Sequence, residues 1–330
     1  MSAVTSLPGA FVWRRLHSLM GLWLVLFLIE HLITNSQAPL LLGENGKGFV
    51  QMVNFLHHLP YLHVIEFTLL GIPILIHGAW GVKYLFTAKY NSGSSDGSTP
   101  SLKYGRNHAY TWQRITSWIL LFLLAFHIVK FRFLSYPDSV NEGSHPTYFA
   151  PVSIDNGLYA VADRVNADIY SSEEIEKLQS NVDNFASESL LEVAKELREE
   201  KSDRFDPQKK LVLDSAQNTE EKIRFSKALS AKHLKENEVI VAADNFGTIS
   251  LFLVRDTFKN PYYVALYTVF VLSACFHAFN GFWTFLITWG WILKMSSQRT
   301  MVKVSIALMM VIAFLGLMSI WGTYWFNYKL

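Results

Sequence analysis

Four histidines lie where histidine is costly. His31, His77, His127 and His277 each sit deep in an otherwise apolar run, and each in a different run. A polar ring in a lipid-spanning segment is a functional candidate by default, with its partner to be named. Imidazole combines a lone pair on one ring nitrogen with a donor on the other, which suits metal ligation or proton transfer. The sequence has a single cysteine, Cys275, best read as a small buried apolar residue. One cysteine excludes a disulfide framework, a Cys-ligated iron–sulfur cluster and a haem attached through C-x-x-C-H.

The elements that must position these rings follow from composition. Hydrophobic residues make up 51% of the 330, aromatic residues 15% and charged residues only 17%, where about 25% charged is usual. Charge is also segregated: residues 135–260 carry 15 Lys/Arg and 23 Asp/Glu, and the rest carries 14 and 4. Two solvents are implied. Apolar stretches at 16–34, 62–86, 110–133, 262–292 and 302–326 each approach the ~20 residues a helix needs to cross the hydrocarbon core. They predict five membrane helices, I to V, in an all-α bundle. Helix I resembles a signal peptide in having Arg14 and Arg15 before an apolar run, but it is long and lacks a small-x-small cleavage site. The Ser- and Gly-rich run Asn91 to Pro100 predicts a flexible exposed loop. Basic residues fall at the ends of apolar runs, where they anchor helices, so no nucleic-acid partner is expected.

Orientation comes from Lys and Arg in the short connections. With the N-terminus inside, the inner side holds Arg14, Arg15, Lys83, Lys89, Lys103, Arg106, Lys294, Arg299 and Lys303, against Lys47 and Lys329 outside. By parity residues 135–260 lie outside. The expected domains are 1–134 (helices I to III), 135–260 (an inserted acidic soluble domain) and 261–330 (helices IV and V). The insertion predicts a small α+β fold. Ile175, Leu178, Leu190, Leu191, Ala194 and Leu197 have helical spacing, Tyr159–Val165 and Val239–Val254 alternate like strands, and Asp244–Gly247 looks like a hairpin turn. His145 and His233 are isolated there, and no catalytic constellation is evident.

Depth now pairs the histidines. His31 and His127 lie 15 and 17 residues from the inner starts of their helices, about 22–26 Å up at ~1.5 Å per residue. His77 and His277 lie 15 residues from the outer starts of theirs, about 22 Å down. His31 thus pairs with His127 in the outer half and His77 with His277 in the inner half. Two imidazoles on facing helices can take both axial positions of a haem iron, leaving no open site and favouring electron transfer. Zinc or copper needs a third or fourth protein ligand, which neither level offers. Gly78, Gly81 and Gly281, close after two of these histidines, let backbone approach a flat macrocycle or simply serve helix packing. One such histidine reads equally well as a hydrogen-bonded core residue; four, one per helix and paired by depth, do not.

Sequence motifs add a resemblance. Arg14-Arg15-Leu16-His17-Ser18-Leu19, Leu28-Ile29-Glu30-His31-Leu32, Ile76-His77-Gly78-Ala79-Trp80-Gly81-Val82, Gln113-Arg114-Ile115-Thr116, Phe126-His127, Phe276-His277-Ala278-Phe279-Asn280-Gly281, Thr288-Trp289-Gly290 and Ser297-Gln298-Arg299 run in order along the five helices. The chain resembles the cytochrome b membrane anchors of succinate:quinone oxidoreductases (succinate dehydrogenase or fumarate reductase), of the single-subunit, two-haem type. The resemblance implies two haems b, one held by His31 and His127 and one by His77 and His277. It also implies flavoprotein and iron–sulfur partner subunits on the inner face of a bacterial-type cytoplasmic membrane, and a quinone, menaquinone for this class, as the electron-exchange partner. The long III–IV connection departs from the family, which has a short loop there.

Within that reading, Glu66 lies 11 residues outward of His77 on helix II, ~16 Å away and near the outer level. It is the candidate for proton exchange at a quinone site, or an interfacial carboxylate reaching water. Arg14, Arg15, His17 and Arg114 at the inner ends are either topology anchors or partners of haem propionates or of the iron–sulfur subunit. His57, His58 and His63, in or beside the I–II connection, read as solvated or, alternatively, as metal-binding. No dicarboxylate- or flavin-binding pattern occurs, so the chain is not itself expected to act on succinate. Two rivals stay open. One is another two-haem quinone-linked cytochrome b, although the quinol:cytochrome c reductase type takes two histidines from each of two helices. The other is a membrane-anchored binding or sensor protein working through 135–260.

Overall fold

A computed structural model describes residues 7–41, 45–93, 97, 100–142, 145–185, 188–199 and 207–328. Part of the 91–100 loop (94–96 and 98–99) and Lys329 lie outside the described residues. Five helices are long and apolar enough to cross a bilayer: I (Gly9–Asn35), II (Leu62–Thr87), III (Gly105–Leu134), IV (Pro261–Thr288) and V (Met295–Tyr328). Even in IV and V only 33% of the most apolar window is buried in the protein. Their remaining apolar faces are the kind that lipid covers.

Local chemistry explains the ends and irregularities of these helices. Helix IV starts on Asn260, whose side chain accepts from the Tyr262 amide, with Pro261 in the first turn. It stops at Thr288, four residues before the apolar run does. Gly290 adopts φ +76°, and the amides of Gly290 and Trp291 close on the carbonyls of Ile287 and Leu286 at 3.0 and 2.9 Å. This is a Schellman cap, which needs a residue tolerant of the left-handed region. Helix II carries a π-helical turn at Phe67–Gly71 just before Pro73. Proline has no N–H for the carbonyl four residues back, that of Leu69. The freed carbonyl accepts from the Trp23 indole of helix I at 2.5 Å.

The chain divides into two compact units. One holds the membrane helices: Met1–Pro39, Phe55–Leu134 and Phe258–Tyr324. The other comprises Leu40–Asn54, Ser135–Thr257 and Trp325–Leu330, so it recruits the I–II connection and the end of the chain as well as the insertion. Its antiparallel sheet has the order β1 (Asp138–Glu142), β2 (His145–Ser153), β4 (Glu238–Ala243), β3 (Asp168–Tyr170). Phe149 and Ile240 with Ala242 from the sheet meet Ile175, Phe225 and Leu229 from helices Ser172–Phe185 and Pro207–Ser230 in its core.

Three details differ from the sequence expectation. Tyr159–Val165 is not a strand but part of a helix, Leu158–Val165. Val239–Val254 is a strand only to Ala243 and becomes helix Phe246–Phe258. The turn between them is a helix N-terminus rather than a hairpin: Asn245 Oδ1 accepts from the Thr248 amide at 2.9 Å. An asparagine three residues before an amide caps a helix as readily as it makes a turn.

Side-chain bonds join the three segments of this unit. Arg255, 1% exposed, donates from both terminal nitrogens to the Asp155 carboxylate and from Nε to the Asn327 carbonyl. Asn327 Oδ1 in turn accepts from the Leu40 amide at 2.7 Å. Arg164 donates to Asn45 Oδ1 at 2.8 Å, and Asn54 Oδ1 accepts from the Gly247 amide at 2.7 Å.

Candidate haem-ligand pairs in the helix bundle

The four histidines meet in twos. The His31 and His127 rings have centroids 5.9 Å apart, with planes at 83°. The His77 and His277 rings lie 6.2 Å apart at 80°. Each pair joins two helices, I with III and II with IV.

Hydrogen bonds fix which ring nitrogen is free. His77 Nδ1 is 2.9 Å from the His17 carbonyl. A carbonyl only accepts, so Nδ1 carries the proton and Nε2 keeps its lone pair. His277 Nδ1 faces the hydroxyls of Thr116 (3.5 Å) and Ser117 (3.4 Å). Those hydroxyls give their own protons to backbone carbonyls, Thr116 to Trp112 and Ser117 to Gln113, so they accept from the ring. At the other level His127 Nδ1 is 3.3 Å from the Tyr267 hydroxyl, and aromatic rings fill the surroundings. Phe27 stacks on His31 at 5.3 Å, and Phe131 and Phe270 flank His127 at 5.3 and 5.6 Å.

These features fit haem ligation. A metal–imidazole bond of about 2 Å on each side of one ion separates two ring centroids by roughly 6 Å, the spacing found at both levels. A ligating histidine also characteristically donates its other nitrogen to a neighbour that fixes the tautomer. The buried donors without a partner among the described residues include two N–H groups, Trp80 Nε1 on helix II and Arg114 Nε on helix III; carboxylates such as propionates would satisfy them.

The glycines expected to make room do so unequally. Gly81 and Gly281 have neighbours only at 3.8 Å, from His17 and Gln113, and Gly78 has none within 4 Å. The tight position is Gly21 on helix I, where a Cβ would sit 2.8 Å from His77 Cε1.

The remaining predicted residues separate by environment. Arg114, 8% exposed, donates to the carbonyls of Tyr84, Leu85 and Ala88 and so caps the C-terminal end of helix II. Arg15 reaches the Thr288 carbonyl at 3.3 Å and covers the Phe11 ring, while Arg14 is exposed. His17 is drawn onto His77: the rings stack at 4.0 Å and 11°. Glu66 has a partner that sequence reasoning did not name, Arg132 on helix III, at 2.7 Å. The same arginine donates to His63 Nδ1 at 3.0 Å. Burial, then the neighbouring His58, lower the pKa of His57 at the end of the I–II connection.

Tyr267, Thr116, Ser117 and Gly21 were also not singled out. Tyr267 was within reach of the depth arithmetic. It lies ten residues before His277 on helix IV, ~15 Å along the axis, which is the level of His127.

The chain is similar to one curated protein of known role. It is 33% identical over 123 residues to the succinate dehydrogenase cytochrome b558 subunit of Bacillus subtilis (strain 168), over 37% of this chain and 55% of that one. The chain therefore spans about half the length of the curated relative it matches. No family model and no solved structure matches it.

Proposed function

We propose that the chain is the membrane anchor and electron-transfer subunit of a succinate:quinone oxidoreductase, carrying two haems b between iron–sulfur and flavoprotein partners and membrane quinone. The observation that carries this reading is the spacing of the two histidine pairs, 5.9 and 6.2 Å, with Nδ1 engaged on three of the four rings. Similarity to a cytochrome b558 subunit supports the same reading. His31 and His127 are the proposed ligands at the outer level, His77 and His277 those at the inner level. Haem held by two histidines supplies one-electron transfer without an open coordination site.

The chain's own residues do the remaining work. Arg114 and Trp80 offer buried donors to cofactor carboxylates through Nε and Nε1, Arg15 and His17 line the inner ends of the helices, and exposed Arg14 is available to a partner subunit. Glu66, ion-paired with Arg132, exchanges a proton with the outer water during quinone chemistry, with menaquinone as the proposed quinone. The proposed setting is a bacterial cytoplasmic membrane with the N-terminus inside and residues 135–260 outside. Parity puts the I–II connection, the III–IV connection and the segment after helix V on one side, and these three segments share a compact unit, which supports that topology.

A dithionite-reduced minus oxidised spectrum with haem quantitation tests the proposal. The expected result is two low-spin b haems per chain, with one lost in His31→Ala and one in His77→Ala. A folded chain without haem refutes it.

A further inference from the structure

We infer that His17 is a positioning residue for His77, aiming that ring at the inner metal site rather than binding cofactor itself. The inference rests on the reading of His77 as a haem ligand. Its basis is a reciprocal clasp between helices I and II. His77 Nδ1 lies 2.9 Å from the His17 carbonyl, and His17 Nδ1 lies 3.1 Å from the His77 carbonyl. Both acceptors are carbonyls, so both rings carry their proton on Nδ1.

The two hydrogen bonds and the stacked rings, 4.0 Å apart at 11°, form one closed unit. Each backbone carbonyl is used a second time, by a side chain in addition to the helix, which its two lone pairs allow. Gly21, one turn beyond His17, leaves the space into which the His77 ring is pressed. Tyr84 meets His17 edge-on at 5.8 Å. The His77 ring is thus fixed in tautomer by the His17 backbone and in plane by the His17 side chain. Its partner His277 is 6.2 Å away.

His277 obtains the same service from the Thr116 and Ser117 hydroxyls. No hydroxyl is bonded to the His77 ring among the described residues, and His17 takes that part. A donor bond from the far nitrogen makes a ligating imidazole more electron-rich, which favours the oxidised metal. If the His17 side chain is removed, the His77 carbonyl loses a donor and the ring its stacking partner. The bond from His77 Nδ1 then loosens, and the inner haem potential moves in the positive direction.

The test uses the assembled membrane complex with His17→Ala, His17→Phe and His17→Asn, beside His77→Ala. Readouts are haem content, low-spin EPR signals and the two midpoint potentials. The Ala and Phe variants are expected to keep two haems while the inner EPR signal and potential shift and the outer ones stay. The Asn variant, whose amide N–H takes the position of Nδ1–H, is expected to return both toward the wild-type values. Unchanged inner signals in His17→Ala overturn the inference. Loss of one haem in all three His17 variants also overturns it, by making His17 a ligand. A wild-type complex without haem, or two haems retained in His77→Ala, overturns the ligand reading beneath it as well.

Discussion

The two histidine levels share a spacing and differ in what holds the rings. At the His77–His277 level the support is polar: a backbone carbonyl for one ring, two hydroxyls for the other, and Gln113 donating to the His277 carbonyl at 3.1 Å. At the His31–His127 level it is largely aromatic, with Phe27, Phe131 and Phe270 around the pair, one phenol, Tyr267, 3.3 Å from His127 Nδ1, and Asn35 donating to the His31 carbonyl at 2.7 Å. Hydrogen bonds fix tautomer and electron density, whereas packing fixes position only. Under the proposed ligation, the 2.9 Å bond from His77 Nδ1 to a carbonyl, shorter than the 3.3 Å contact of His127 Nδ1 with Tyr267, would tilt the His77–His277 site further toward the oxidised metal. A difference in potential between the two proposed ligand pairs is the expected consequence of that contrast.

The largest expected effect concerns a carboxylate that helix arithmetic puts near the His31–His127 level, Glu66. Glu66→Gln is expected to lower quinone-linked turnover by about 10²- to 10⁴-fold with both haems retained in the spectrum. Unchanged turnover removes Glu66 from the proton path. Loss of the ion pair with Arg132 should matter little to stability, since both side chains are about a third exposed and such pairs contribute at most ~1 kcal/mol.

Next in size is a steric break confined to the inner level. Gly21→Ala forces a Cβ to 2.8 Å from His77, and overpacking of this kind costs about 1–3 kcal/mol. Inner haem occupancy and the Tm of the solubilised chain are expected to fall while the outer haem persists. Gly78→Ala, with no neighbour within 4 Å, is the matched control and should leave both haems in place. Equal effects of the two substitutions would show that the glycines serve helix packing alone.

The smallest change sharpens the outer level. Tyr267→Phe keeps the ring and removes the hydroxyl 3.3 Å from His127 Nδ1, a contribution of about 1 kcal/mol. A modest shift of the outer haem potential is expected, with the inner potential unmoved. A shift of the inner one instead would mean that the two levels are not separately tuned.

Much of this arrangement was legible before the structure. Hydropathy located the five helices, and counting residues from their ends brought His31 to His127 and His77 to His277, because a helix converts sequence distance into depth at a fixed rate. The neighbours of those rings were not legible in the same way. Thr116, Ser117 and Gly21 are unremarkable in their own helices, and their importance arises only from rotation of one helix against another, which a single periodic pattern does not encode. Glu66 was visible as an isolated carboxylate, but Arg132 read as an ordinary basic residue at a helix end. In the sheet-containing unit the error was of another kind. Val239–Val254 is two apolar runs on either side of Asp244-Asn245, and a short buried strand and a buried helix look alike to periodicity; Asn245 then served as a cap rather than a hairpin turn.

The contacts of Asn327 also set an order of events. Its side chain closes on the Leu40 amide, 287 positions earlier, and its carbonyl on Arg255. On the ribosome, Arg255 and Leu40 emerge long before Asn327 is made. Folding of the extramembrane unit therefore reaches completion only after the fifth helix has been synthesised, and its buried arginine waits without its last acceptor until then. Closure of that unit is a late, non-local step, and a nascent chain that stalls inside helix V is distinguishable from one synthesised past Asn327 by its open sheet-containing unit.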